Sequence, residues 1–174
     1  MPKDIRIITT GGTFDKLYDE ISGELTFRQS QLPRILRQTR CTLRIELEGP
    51  LAIDSLYMNE EQRQSVAQRC IASPEHRIIV IHGTDTMTKT AQVVAKRLAP
   101  ENRSTIVFTG AMVPYSLENS DSVFNLGCAF SAVQLLPPGV YICMSGKIFT
   151  WDNVRKNKEL GIFEELRPVS GVSG

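Results

Sequence analysis

Short apolar runs rich in β-branched residues alternate along this chain with longer stretches whose apolar positions recur every three or four residues. Residues 5–10 (IRIITT) have the make-up of a buried strand, which ends at Gly11-Gly12. A polar stretch over 13–26 follows, bent at Gly23, and predicts turns. Leu32, Ile35 and Leu36 give 31–38 helical spacing. Leu43, Ile45 and Leu47 instead alternate with Arg44, Glu46 and Glu48, the period of a half-exposed strand. Asn59 opens the next helix, with Gln62 placed to close a capping box, and the helix runs to about Ile71 with Pro74 beyond it. Residues 78–81 (IIVI) read as a strand covered on both faces. A helix over 86–98 is stopped by Pro100, a buried strand spans 105–109, and a helix over 122–136 ends at Pro137-Pro138. Residues 140–144 form a fifth core strand and 148–151 a short edge element. Strands alternating with helices predict an α/β fold of three layers, a mostly parallel sheet with helices on both faces.

No internal repeat, linker or change of composition interrupts residues 1–174, so one domain is expected, with 169–174 as a flexible tail. A chain of 174 residues can bury a continuous core, and 41% hydrophobic residues with 12 glycines exclude disorder for the whole. Twenty Lys and Arg against 19 Asp and Glu leave a net charge of +1, which argues against nucleic acid, a partner that draws on a basic surplus. No apolar run nears the ~20 residues of a membrane span, and Met1-Pro2-Lys3-Asp4 has none of the apolar stretch of a secretion signal. A cytoplasmic protein is expected. Cys41, Cys70, Cys128 and Cys143 form no C-x-x-C pair and share no ligand spacing with His76 or His82, so no metal site is expected. The cysteines are expected to sit reduced in or near the core.

Ligands of an open parallel sheet bind beyond the carboxyl ends of its strands, so the residues after each strand matter most. They are Thr10-Gly11-Gly12-Thr13, then Ser55 after 51–53, His82-Gly83-Thr84-Asp85-Thr86, and Gly110-Ala111-Met112-Val113-Pro114. Together they bring hydroxyls, a carboxylate and glycine-adjacent amides to one rim. A threonine hydroxyl is a weak nucleophile until a neighbour takes its proton. Glycines permit tight turns and close approach, and amides at such turns and at the helix start near Thr86 suit a developing oxyanion. Asp85 suits a substrate ammonium. With two histidines and no G-x-S-x-G elbow, the base falls to a lysine, a tyrosine or a carboxylate. Lys156, in the polar segment 153–158, can serve if burial lowers its pKa. Neither glycine loop is a G-x-G-x-x-G or a P-loop, so no nucleotide cofactor is expected.

Plainer readings stand beside these. A Gly-Gly after a strand is commonly just a turn, and Thr84 and Asp85 suit a helix cap as well as catalysis. His82 fits a hydrogen-bonded core position, Tyr18 a surface aromatic, and Lys156 a solvated lysine beside Arg155 and Lys158. Arg28, Arg34, Arg37, Arg40 and Arg44 read as a solvated face. Joint placement after successive strands, rather than any single residue, raises the set.

In Thr10-Gly11-Gly12-Thr13-Phe14, His82-Gly83-Thr84-Asp85-Thr86-Met87, Gly110-Ala111-Met112-Val113-Pro114, Phe124-Asn125-Leu126 and the 152–156 region, the chain resembles the bacterial-type L-asparaginases. The resemblance runs in order over nearly the whole chain but covers only that family's N-terminal domain, as in its short-chain forms. It implies Thr13 as the nucleophile and Thr84, Asp85 and Lys156 as a second catalytic group. It also implies that Asp85 binds the substrate α-amino group, Ser55 the α-carboxylate, and the Ala111 carbonyl the side-chain amide. Gly12 lines the substrate, and Tyr18 is the candidate for the mobile-loop tyrosine that assists the nucleophile. Leu56 stands where the family often has a glutamine, which removes a polar contact. Without the second domain's acidic groups, ammonium recognition falls to Asp85 with Glu20, Glu24 or Glu118.

The resemblance therefore implies an L-asparaginase that converts L-asparagine and water to L-aspartate and ammonia through an acyl-enzyme. No cofactor is required, and a homodimer or higher homo-oligomer is expected. The order of attack between Thr13 and Thr84 stays open. Two other readings do as well: a non-catalytic amino-acid-binding or regulatory module, and an ammonia-producing subunit of a larger amidotransferase.

Overall fold

The computed structural model describes residues 3–167, so the tail expected over 169–174 lies outside the described residues. Its centre is a six-stranded sheet of β1 (Ile5–Thr9), β4 (Ile45–Glu48), β5 (Arg77–Ile81), β6 (Thr105–Thr109), β7 (Gly139–Met144) and β8 (Lys147–Thr150). The spatial order is β4-β1-β5-β6-β7-β8, with β8 alone antiparallel to its neighbour. The expected α/β architecture, mostly parallel and covered on both faces, is the one observed.

Period-two alternation distributes the strand residues between two cores. Ile8, Ile78, Val80, Ile106, Phe108 and Ile142 face α2 (Glu60–Ala72) and α3 (Met87–Arg97). Ile5, Ile7, Ile79, Ile81, Val107 and Cys143 face α1 (Leu32–Gln38) and α4 (Ser122–Leu135). Because both faces are covered, the central strands read as continuous apolar runs. The predicted capping box forms: the Gln62 amide donates to Asn59 Oδ1 and the Asn59 amide to Gln62 Oε1, each at 2.9 Å. Prolines end the helices where expected, since a proline ring cannot continue the helical hydrogen bonding.

The chain moves from β1 outward to β4, then recrosses to β5 and continues the other way. That reversal makes the carboxyl ends of β1 and β5 a topological switch point, the usual ligand position in such sheets. Two hairpins stand at this end. The stretch 13–26, expected to be turns, forms a short 3-10 turn (Thr13–Asp15) and the antiparallel pair β2 (Lys16–Asp19) and β3 (Glu24–Phe27). Residues 51–53 make only an isolated parallel bridge, Ile53 to Gly11, rather than a strand. The polar segment around Lys156 is also extended, as β9 (Arg155–Asn157) paired with β10 (Ile162–Glu164). Among the described residues, no helix is long and apolar enough to cross a membrane.

Candidate active site

Successive glycines bring the two threonine loops together. Gly11 and Gly12 hold φ of +95° and +73°, a region that disfavours any side chain. A Cβ on Gly12 would lie 2.5 Å from the Gly83 amide nitrogen, so the loops after β1 and β5 pack backbone against backbone. Thr13 and Thr84 each follow one of these glycines. Gly83 in turn abuts Ser55, since a Cβ there would lie 2.5 Å from Ser55 Oγ. The expected rim is real.

Lys156 reaches this rim from β9. Its Nζ donates to Thr84 Oγ1 and to Asp85 Oδ1, both at 2.8 Å. The lysine side chain is 10% exposed and that of Asp85 33%. The two readings of 84–85 are thereby separated. The N-cap of α3 is Thr86, which makes no side-chain capping bond, so Thr84 and Asp85 engage the lysine rather than cap the helix. Lys156 is not the solvated lysine of the plainer reading.

Thr13 is half-buried, and its hydroxyl makes no hydrogen bond among the described residues. The Gly12 amide, expected to help hold an oxyanion, donates instead to Ile53 O at 3.0 Å. The Thr86 amide at the helix start is likewise committed, to Ser55 Oγ at 3.3 Å. Gly12 therefore packs the two loops together, and the Thr13 and Thr84 amides are among the loop donors that no described residue engages. Ala111 is 1% exposed, and its carbonyl accepts no bond among the described residues. A buried carbonyl without a donor is uncommon and suits a ligand amide.

Three sets of polar contacts fix these loops. Asp121 accepts from the amides of Met112 and Val113 at 2.9–3.0 Å, and Asn125 donates to Gly110 O while accepting from the Ser145 amide. Asn125 thus ties the loops after β6 and β7, which gives the Phe124-Asn125-Leu126 motif a structural reason. At the other side Lys16 pairs with Asp54 at 2.7 Å, joining β2 to the Ser55 turn. Burial raises the Asp54 pKa, but the Lys16 bond and the Leu56 amide outweigh it and hold the carboxyl below its ordinary value. The third set, Arg63 with Thr86, was not legible in the sequence, where Arg63 reads as one more polar position on α2.

Other candidates fall outside the cluster. Tyr18 lies on β2, 60% exposed, and its hydroxyl bonds to no described residue. Glu20, Glu24 and Glu118 are exposed and make no bond or ion pair with the cluster. Leu56 is 58% exposed, an apolar side chain beside Ser55. His82 is fully buried, as its plainer reading held; Nδ1 lies 2.8 Å from Gly83 O while Nε2 has no partner.

A doubly wound sheet with two threonine loops packed together and a lysine–aspartate couple at its switch point defines an α/β protein with a polar cluster at the carboxyl ends of its strands. The chain belongs to the asparaginase family, whose N-terminal model matches residues 4–163. It is 26% identical over 161 residues to the L-asparaginase of Thermococcus kodakarensis, covering 90% of this chain and 48% of that one. A component of the glutamyl-tRNA(Gln) amidotransferase of Archaeoglobus fulgidus is 29% identical over 147 residues, covering 82% and 35%. A solved structure of the thermostable L-asparaginase from Thermococcus kodakarensis superposes with a TM-score of 0.81 at 25% identity, over 92% of this chain and 50% of that one. The chain thus spans about half the length, or less, of the relatives it matches.

Proposed function

We propose that this chain is an L-asparaginase of the amidohydrolase class, hydrolysing L-asparagine to L-aspartate and ammonia in the cytoplasm. The observation that carries the reading is Lys156 Nζ bound to both Thr84 Oγ1 and Asp85 Oδ1 at 2.8 Å, with the Thr13 hydroxyl, which no described residue engages, following the Gly12 that packs against Gly83. A module that only binds an amino acid has no use for the lysine.

In this mechanism Thr13 Oγ attacks the side-chain amide carbon, and the carbonyl oxygen takes up negative charge facing the Thr13 and Thr84 amides. The C–N bond breaks as the leaving nitrogen receives the proton that Thr13 gave up, releasing ammonia and leaving an ester on Thr13. Water then attacks that ester, its proton returns to Thr13 Oγ, and aspartate departs. Lys156, between Thr84 and Asp85, moves the protons, and Tyr18 assists if its hairpin folds over the rim. Ser55 holds the substrate carboxylate, Asp85 its ammonium, and the Ala111 carbonyl the amide N–H. The test is asparagine-dependent ammonia release, with Thr13→Ala as control. A loss of at least ~10²-fold in a folded variant supports the nucleophile assignment, and retained activity removes it. Thr84→Ala is expected to lose at least ~10²-fold as well, and retained activity there removes Thr84 from the nucleophile role.

Two observations favour a second reading, an ammonia-producing subunit of a larger amidotransferase. Similarity to the Archaeoglobus amidotransferase component is as high as to the asparaginase, and the exposed Leu56 beside Ser55 offers less polar capture of a free amino acid. That reading requires a stable partner protein and poor turnover alone.

We also propose that two copies pair through α4. Its fourteen residues carry no charge, and Phe124 and Leu135 are 60% and 84% exposed. In an antiparallel pairing the large Phe124 and Leu135 of opposite copies meet, while Gly127, Cys128 and Ser131 leave the centre small enough for close approach. A helix this apolar is normally covered.

A further inference from the structure

Arg63 projects from α2 into the space between α2 and α3, where it is 7% exposed. No carboxylate of the described residues pairs with it. Glu60, exposed one turn earlier on the same helix, acts on it only through space. Its donors go to neutral acceptors: Met58 O at 3.0 Å, Thr86 Oγ1 at 3.1 Å, Thr90 Oγ1 at 2.6 Å and Met58 Sδ at 3.5 Å. A buried cation without a counter-ion is costly, and burial depresses its pKa accordingly. Pinning two helices together does not call for a charge. A neutral side chain can do it.

The direction of the hydrogen bonds shows what the charge accomplishes. A guanidinium has donors only, so Thr86 Oγ1 must accept from Arg63, and its single proton is left to donate. That proton goes to Ser55 O at 2.8 Å. The Thr86 amide meanwhile donates to Ser55 Oγ at 3.3 Å. Ser55 is therefore held at both its carbonyl and its hydroxyl, and the hydroxyl oxygen already accepts. Its own proton has no acceptor among the described residues. The chain of bonds that starts at Arg63 ends in a donor packed against Gly83, between the loops after β1 and β5, where Ser55 is 1% exposed.

We infer that Arg63 is a positioning residue for substrate binding. Acting through Thr86, it holds Ser55 as an outward donor and so sets affinity for a ligand carrying a carboxylate, without a part in bond breaking. This rests on the amide-hydrolase reading for its substrate, but it concerns one feature of that substrate only.

The experiment compares wild type with Arg63→Met, Arg63→Lys and Thr86→Val. Steady-state kinetics are measured on L-asparagine and on 3-aminopropanamide, which is asparagine without its α-carboxylate. The calorimetric Kd of L-aspartate is measured in parallel. A donor to a carboxylate is worth a charge-assisted bond, so Arg63→Met and Thr86→Val are expected to raise the asparagine KM and the aspartate Kd about tenfold or more. The asparagine kcat stays within about threefold, rates on 3-aminopropanamide are unchanged, and Arg63→Lys, which keeps a donor cation, restores part of the affinity. Equal losses on both amides, or a lower melting temperature with unchanged KM and Kd, overturn the inference and leave Arg63 as a link between helices. If wild type hydrolyses neither amide while aspartate binding still depends on Arg63, the hydrolase reading falls and the inference stands. If wild type neither hydrolyses nor binds, both fall.

Discussion

His82 couples acid stability to the candidate site, because it immediately precedes Gly83-Thr84-Asp85. A carbonyl can only accept, so Nδ1 carries the proton donated to Gly83 O, and Nε2 is a bare acceptor in a fully buried setting beside the Phe108 ring. Protonating Nε2 would bury a positive charge with no acceptor. Burial, opposed by the Gly83 bond and reinforced by the nearby Arg63 charge, lowers the pKa from 6.5 to about 4. The unfolded chain therefore takes up a proton near pH 6.5 that the folded chain refuses until about pH 4, so stability falls as pH drops through that interval. At about 1.4 kcal/mol per pH unit, the penalty is roughly 2 kcal/mol by pH 5 and about 3 kcal/mol once both states are protonated.

The assay is urea unfolding of wild type and His82→Gln at pH 7.5 and pH 5, with linear extrapolation. Every other titrating group is common to both proteins and largely cancels in the difference. That includes Asp15, whose pKa burial raises against the Gln31 and Ser30 bonds, giving it the opposite sign. Wild type is expected to lose about 2 kcal/mol more than His82→Gln over this range. Parallel pH dependences, or an imidazole titrating near 6.5 in the folded protein, would refute the reasoning.

Three further outcomes follow from the geometry. Lys156→Met keeps the side chain's length but removes the bonds to Thr84 and Asp85, and should lower kcat at least ~10²-fold while circular dichroism stays native. Gly12→Ala places a Cβ 2.5 Å from the Gly83 amide nitrogen at a φ of +73°; it should cost about 3 kcal/mol or more of stability, read by urea titration. Leu135→Glu puts a charge on the apolar face of α4 and should shift the protein toward monomer in light scattering without changing its circular dichroism.

Much of this protein was legible in one dimension because its strongest signals are local. The IIVI run of β5, the Asn59–Gln62 box and the prolines after α3 and α4 each act within a few residues, so the pattern along the chain records them. The threonine motifs were visible for the same reason, since each follows its own strand directly. The hairpin over 16–27 was hidden because it packs no face into the core: Tyr18 and Leu25 pair across it while remaining largely exposed, and no strong alternation results. What only the tertiary structure decided is how polar groups far apart in sequence are paired. Lys156 meets Thr84 across 72 positions, and Arg63 meets Thr86 across 23. On its own helix Arg63 looks like any solvated arginine, and Lys156 looks like one of a run of bases. A buried polar group must find a partner wherever the fold places one, and no spacing along the chain encodes that choice. The same physics leaves Ser55 with one proton to give.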